Sequence, residues 1–127
     1  MKNKKILVIE DNELNMKLAR SVLQIGNYKI LEAEKAEDGI ALAREHHPDL
    51  ILMDIHLPGM DGLTATRIMK EDADLAMIPV VAVTGHAVGI NEAKAREAGC
   101  VGYISKPYSV KAMLKEVAHY IQHSGSK

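Results

Sequence analysis

Residues 50–53, Leu-Ile-Leu-Met, form a continuous apolar run that ends in Asp54 and is followed by Pro58, Gly59 and Gly62. The run is too short for a spanning helix and too continuous for a strand with one wet face. It reads as a strand covered on both faces, as in a parallel sheet. The proline and glycines then force a loop before the next periodic segment. A carboxylate at the C-terminal end of such a strand stands where open α/β sheets place their ligands, which makes Asp54 the first candidate functional residue.

Three more apolar runs repeat the pattern. Residues 6–9 end in Glu10-Asp11, residues 79–83 in Thr84-Gly85, and residues 101–104 in Ser105-Lys106-Pro107. Residues 28–33 alternate, as a strand near the sheet edge does. Helical patterns lie between the strands. The first is capped by Asn12, turns Leu14, Leu18, Val22 and Leu23 inward, and closes at Gly26-Asn27. Others cover 36–45 and 62–71, and an alanine-rich helix runs to Ala98 before Gly99. The last, capped by Ser109, sets Val110, Met113, Leu114, Val117 and Ile121 on one face. Five β-α units in strict alternation predict an α/β fold, a doubly wound five-stranded parallel sheet with right-handed crossovers and five helices on both faces. With the second strand peripheral, the order 2-1-3-4-5 is taken over from known doubly wound sheets of the flavodoxin-like kind.

At 127 residues the chain is expected to be a single domain, 1–127, with an ordered core over about 4–122 and a frayed tail at 123–127. A net charge of −1 argues against a surface built mainly for nucleic acid, so no direct DNA binding is expected. No apolar run approaches the roughly 18 residues of a membrane span, and the start lacks the apolar core of a signal peptide. The lone Cys100 excludes an internal disulfide and fits a reducing compartment, by default the cytoplasm. It reads as a packed small residue rather than a reactive thiol. With no Trp, no Phe and four Tyr, the core is aliphatic, with Met16, Met53, Met69 and Met113 as filler.

Parallel strands all point one way, so Glu10, Asp11, Asp54, Thr84 and Lys106 gather at one sheet edge. Neighbouring strands lie about 4.8 Å apart, which brings the three carboxylates together. Strand five is two strands from strand three, roughly 10 Å, a gap that a lysine spans. Crowded carboxylates repel one another and are relieved by a hard cation. Oxygen ligands in a sparse site favour Mg²⁺, with Mn²⁺ or Ca²⁺ able to substitute. A cation, an ammonium and a hydroxyl together stabilise added negative oxygen, which is phosphoryl chemistry. No glycine-rich phosphate fingerprint is present, so the phosphate is not expected as a bound nucleotide. Asp54 is the available nucleophile.

Four blocks carry a resemblance: residues 10–18 (EDNELNMKL), 48–55 (PDLILMDI), 78–84 (IPVVAVT) and 103–107 (YISKP). Over essentially its full length the chain resembles a response-regulator receiver domain of two-component signalling, and within that family the single-domain, DivK-type regulators of cell division and polarity. The resemblance implies that Asp54 accepts a phosphoryl group from a histidine kinase or a phosphotransfer protein. It implies Mg²⁺ on Asp11 and Asp54, with the backbone carbonyl of His56 as a third ligand and Glu10 acting through water. Lys106 would pair with the phosphoryl oxygens, Thr84 would bond them and shift, and Tyr103 would turn inward as the switch aromatic. A cis bond would join Lys106 to Pro107.

On this reading the chain is a stand-alone switch, not an enzyme beyond its own phosphorylation and dephosphorylation. Its output is protein–protein contact through the fourth helix, fifth strand and fifth helix, as a monomer or a weak phosphorylation-dependent dimer. Two alternatives stand beside it. One is a receiver of a hybrid kinase that passes phosphate onward, against which the Met1 start weighs. The other is an aspartyl-phosphate phosphatase, which would need a second Asp where His56 stands. His56 and His86 are expected to flank the site and make acyl-phosphate hydrolysis pH-dependent near pH 6.5, the ordinary imidazole value being about 6.5. Gly85, where Ala is more usual, removes a methyl beside the phosphate. His46 and His47 read as surface residues, and His119 and His123 lie on or beyond the last helix.

Overall fold

The computed structural model describes residues 4–85, 89–106 and 108–124. Strands and helices alternate throughout: β1 (Lys5–Ile9), α1 (Glu13–Ile25), β2 (Lys29–Ala33), α2 (Ala36–His46), β3 (Leu50–Asp54), α3 (Gly62–Lys70), β4 (Val80–Thr84), α4 (Gly89–Ala98), β5 (Gly102–Ser105) and α5 (Val110–Ser124). All pairings are parallel and the order is β2-β1-β3-β4-β5, as expected. The run that ends in Asp54 is the central strand, buried at every residue. β2, read as peripheral, is an edge strand with Lys29 and Glu32 exposed.

Strand alternation divides the core in two. Leu7, Ile9, Ile51, Met53 and Ala82 face α2, α3 and α4 through Ile40, Ala65, Met69 and Ala95. Ile6, Val8, Leu50, Leu52 and Val83 face α1 and α5 through Met16, Leu23, Met113 and Val117. Burial of each large aliphatic side chain contributes about 2 kcal/mol, so the two-sided strands anchor both layers. Cys100 is buried, as expected, with its thiol 3.9 Å from the Thr66 hydroxyl.

The expected caps form. Asn12 Oδ1 accepts the Asn15 N–H at 2.9 Å, and Ser109 Oγ accepts the Ala112 N–H at 3.0 Å. The inward face of α1 differs from expectation. Met16, Ala19, Val22 and Leu23 are buried, whereas Leu14 is 77% and Leu18 43% exposed. At 3.6 residues per turn Leu14 lies roughly 150° round the helix from that buried face. The small Ala19 lets the helix approach the sheet, and the predicted stripe shares Val22 and Leu23 with the face that docks. Val110, expected inward on α5, is likewise 43% exposed. Val101 precedes β5 rather than joining it and is 43% exposed. α5 runs through Ser124, into the stretch read as a frayed tail. His86 and the bond into Pro107 lie outside the described residues.

Candidate phosphoryl and metal site

The carboxyl ends of β1, β3, β4 and β5 deliver the predicted residues to one place. Glu10 follows β1, Asp54 ends β3, Thr84 ends β4 and Lys106 follows β5. Glu10 and Asp54 are buried, Thr84 is fully buried, and Asp11 is exposed. One carboxylate oxygen from each of Glu10, Asp11 and Asp54 lies within 4.8 Å of the other two. Lys106 crosses β4 as expected. Its Nζ sits 2.7 Å from Glu10 Oε1 and 3.7 Å from Asp54 Oδ2.

Local backbone bonds aim these groups. The His56 N–H donates to Asp54 Oδ1 at 2.9 Å and the Asn12 N–H to Glu10 Oε2 at 3.1 Å. The Lys106 N–H donates to the Thr84 carbonyl at 2.7 Å, tying the lysine to the end of β4. On the far side, the Gly62 N–H donates to the Ile55 carbonyl at 3.0 Å, and Asp61 caps α3 through the Thr64 N–H at 2.8 Å. A Cβ on Gly62 would stand 2.2 Å from the Asp54 carbonyl oxygen. Only glycine lets the start of α3 press against the strand end that carries Asp54. The sequence signal for Gly62 was that of a loop former, and its steric role was missed because it depends on what the loop folds back onto.

Burial is the main force raising the Glu10 carboxyl above its ordinary value. The Lys106 ammonium opposes it and the Asp54 charge adds to it. Tyr108, which the sequence reading passed over, lies beside the pair. Burial and then the Glu10 charge push its phenol up to about 12. Beneath the carboxylates is a cavity of about 10 Å³ lined by Glu10, Asp54, Lys106 and Tyr108 among apolar neighbours. Outside lies a hollow of about 320 Å³ bounded by Asn15, Leu18, Gly85, Lys106 and Tyr108. A Cβ on Gly85 would meet nothing within 4 Å, so this glycine faces open space.

The remaining predicted residues fall around this centre. Tyr103 is half-buried in β5 and packs against the core under α2, α3 and α4. His56 is exposed at the mouth. The donor set fits a hard divalent cation: three carboxylates lie close together, two of them buried, and among the described residues one ammonium, that of Lys106, is paired with them.

Comparison with known proteins agrees with this geometry. The model of the response regulator receiver domain matches residues 6–118. The polar-differentiation response regulator DivK of Brucella ovis is 45% identical over 118 residues, covering 93% of this chain and 96% of that protein. DivK of Brucella anthropi is 44% identical over the same shares. Among solved structures, the receiver domain of a sensor histidine kinase from Pseudomonas aeruginosa PAO1, which has a magnesium ion in its active-site cleft, superposes with a TM-score of 0.88 at 26% identity. That match covers 95% of this chain and 99% of the other. The chemotaxis protein CheY4 of Vibrio cholerae shares the fold, with a TM-score of 0.88 at 19% identity over 94% of this chain and 99% of that one. With buried acid at the strand ends, a lysine laid across it and the family model spanning nearly the whole chain, this protein belongs to the response regulator receiver domains.

Proposed function

We propose that Asp54 accepts a phosphoryl group from a histidine kinase or a phosphotransfer protein, and that the modified protein signals by protein contact. The observation that carries this reading is the placement of Lys106 Nζ 2.7 Å from Glu10 and 3.7 Å from Asp54. A cation held by one buried carboxylate and within reach of another is poised to change partners. In the transfer, an Asp54 carboxylate oxygen attacks phosphorus and the P–N bond to the donor imidazole breaks, its electron pair leaving with the ring nitrogen. Lys106 then swings from Glu10 to the new phosphoryl oxygens. The Thr84 hydroxyl bonds another of them, and Tyr103 moves inward with it.

Glu10, Asp11, Asp54 and the His56 carbonyl would hold Mg²⁺, with Mn²⁺ or Ca²⁺ able to substitute. The ion would offset the negative charge of the phosphoryl oxygens. The protein thus catalyses only its own modification and its reversal. The output surface is α4, β5 and α5, which Thr84 and Tyr103 border, and the setting is cytoplasmic. DNA is not a partner, and the protein is a monomer or a weak dimer that forms on phosphorylation. DivK relatives matched over 96% of their own length support the switch over a hybrid-kinase relay. A phosphatase would need an acid where His56 stands.

The test is intact-mass measurement after treatment with acetyl phosphate and Mg²⁺. The wild type gains one phosphoryl group and Asp54→Asn gains none. Labelling that persists in Asp54→Asn refutes the site.

A further inference from the structure

Three hollows at the carboxyl end of the sheet meet at one side chain. The cavity of about 10 Å³ beneath the carboxylates and the hollow of about 320 Å³ outside them share Asn15, Lys106 and Tyr108 in their walls. A third hollow, of about 280 Å³, lies between β5 and the start of α5, where Tyr103, Ser105, Tyr108 and Glu116 are among the residues that bound it. Among the described residues, Tyr108 alone borders all three. The Lys106 side chain stands at the rim of the open hollow and is nevertheless only 18% exposed.

The start of α5 fixes where the Tyr108 ring stands. Ser109 caps the helix by accepting the Ala112 N–H at 3.0 Å, and the Met113 N–H donates to the Ser109 carbonyl at 3.0 Å. Tyr108 thus precedes the cap and Met113 is the fourth helical residue, the two positions that pack together in a hydrophobic staple. Both side chains belong to the core under α1 and α5, and both line the cavity beneath the carboxylates. A staple fixes how the chain enters its helix. Here it anchors an aromatic ring two residues after the lysine that reaches Glu10 and Asp54. Of the three residues shared by the cavity and the open hollow, Asn15 is polar at its tip and Lys106 is the charge itself. The ring is the apolar part of that wall.

We propose that Tyr108 is a positioning residue for Lys106: its ring walls the Lys106–Glu10 pair off from the open hollow and so keeps the ammonium beside Glu10 and Asp54. An ion pair shielded from water is several-fold stronger than the same pair in it. Without the ring the three hollows join and water reaches the pair from outside. The ammonium is then hydrated and spends part of its time away from the two acids. A charge displaced by about 1 Å can lose up to a hundredfold in rate. The inference rests on the proposed function, in which Lys106 passes from Glu10 to the phosphoryl oxygens. Lys106 supplies the charge there, and Tyr108 acts through it.

The experiment has two arms. The first follows the Lys106 ammonium protons by heteronuclear NMR in EDTA without phosphodonor, the signal being assigned as the one missing from Lys106→Met. Wild type and Tyr108→Phe are expected to show it, and Tyr108→Ala to lose it to exchange with water. The second measures labelling by acetyl phosphate and Mg²⁺, which should slow about tenfold in Tyr108→Ala and keep the wild-type rate in Tyr108→Phe. Should Tyr108→Ala fail to fold, Tyr108→Leu, which keeps the staple without the reach of the ring, carries both measurements. A retained signal or an unchanged rate in the ring-deleted variant overturns the proposal, even if stability falls. So does a signal absent from the wild type, or one lost in Tyr108→Phe, because the ring would then not be what protects the lysine. Labelling of Lys106→Met at the wild-type rate would instead refute the role of Lys106 in phosphoryl transfer and leave the ammonium result standing.

Discussion

The two ends of the sheet treat charge in opposite ways. At the amino ends of the strands, lysines are held by backbone carbonyls. Lys5 Nζ donates to the His46 carbonyl at 3.0 Å, and Lys70 Nζ donates to the carbonyls of Ala76 at 3.0 Å and Ile78 at 2.7 Å. His46 ends α2, whereas Ala76 and Ile78 lie in the connection between α3 and β4, which the Lys70 bonds close. At the carboxyl ends, Lys106 is held by carboxylates, one close and one near. Carbonyl partners make a lysine part of the frame, whereas two competing carboxylates leave it free to change partners. On the proposed function, the chain puts the same residue type to structural use at one end and to chemical use at the other.

The sharpest way to break this contrast is to delete each lysine. Lys106→Met should slow labelling by acetyl phosphate roughly a hundredfold, the usual cost of losing one positioned charge at a transferring group. A rate within a few-fold of the wild type would remove Lys106 from the chemistry. Next in size is Gly62→Ala, whose methyl would meet the Asp54 carbonyl oxygen at 2.2 Å. The overpacking should cost about 2 kcal/mol in urea unfolding and lower the labelling rate as well, because Asp54 moves with its backbone. Stability lost with unchanged labelling would mean that Gly62 packs the strand without aiming the acid. Lys70→Met leaves two carbonyls without their donor and should cost about 1–2 kcal/mol. Labelling should stay at the wild-type rate, and a slower rate would show the two ends to be coupled.

The smallest effect is pH-dependent. Burial holds the Glu10 carboxyl above its ordinary value, so the folded protein binds that proton more readily than the unfolded chain. Its contribution to stability is present below the ordinary value and is lost as pH rises through the raised one. In EDTA, the wild type should therefore gain stability relative to Glu10→Gln as pH is lowered from neutrality toward 4.5, the ordinary carboxyl value. Parallel urea midpoints across that range would show that the raised value does not bear on folding.

The strands and the site were legible in the sequence for the same reason. A strand covered on both faces must be continuously apolar, and the first polar residue after it marks the sheet edge. That rule marks Glu10, Asp54 and Thr84, and Lys106 follows Ser105 at the same edge. What remained hidden depends on how elements meet. Leu14 and Leu18 satisfy a helical period yet lie outside the buried face, because small Ala19 sets how α1 docks, and Val110 at the first turn of α5 is exposed likewise. Gly62 and Gly102 look like ordinary glycines until the Asp54 carbonyl and the Tyr120 ring are placed against them. The resting partner of Lys106 is Glu10, which spacing along the chain does not determine, since both carboxylates are within its reach.

The distribution of tyrosine has an optical consequence. With no Trp or Phe in the chain, tyrosines are its only benzenoid chromophores. Three of the four, Tyr103, Tyr108 and Tyr120, lie in β5, beside the Lys106–Glu10 pair and over Gly102, and only Tyr28 lies elsewhere, near the end of α1. Near-ultraviolet absorbance, circular dichroism and intrinsic emission therefore report mainly one corner of the molecule, with Tyr28 as the remaining contributor. That corner is where the site meets the β5–α5 surface, so the protein carries its own spectroscopic label there without an added dye.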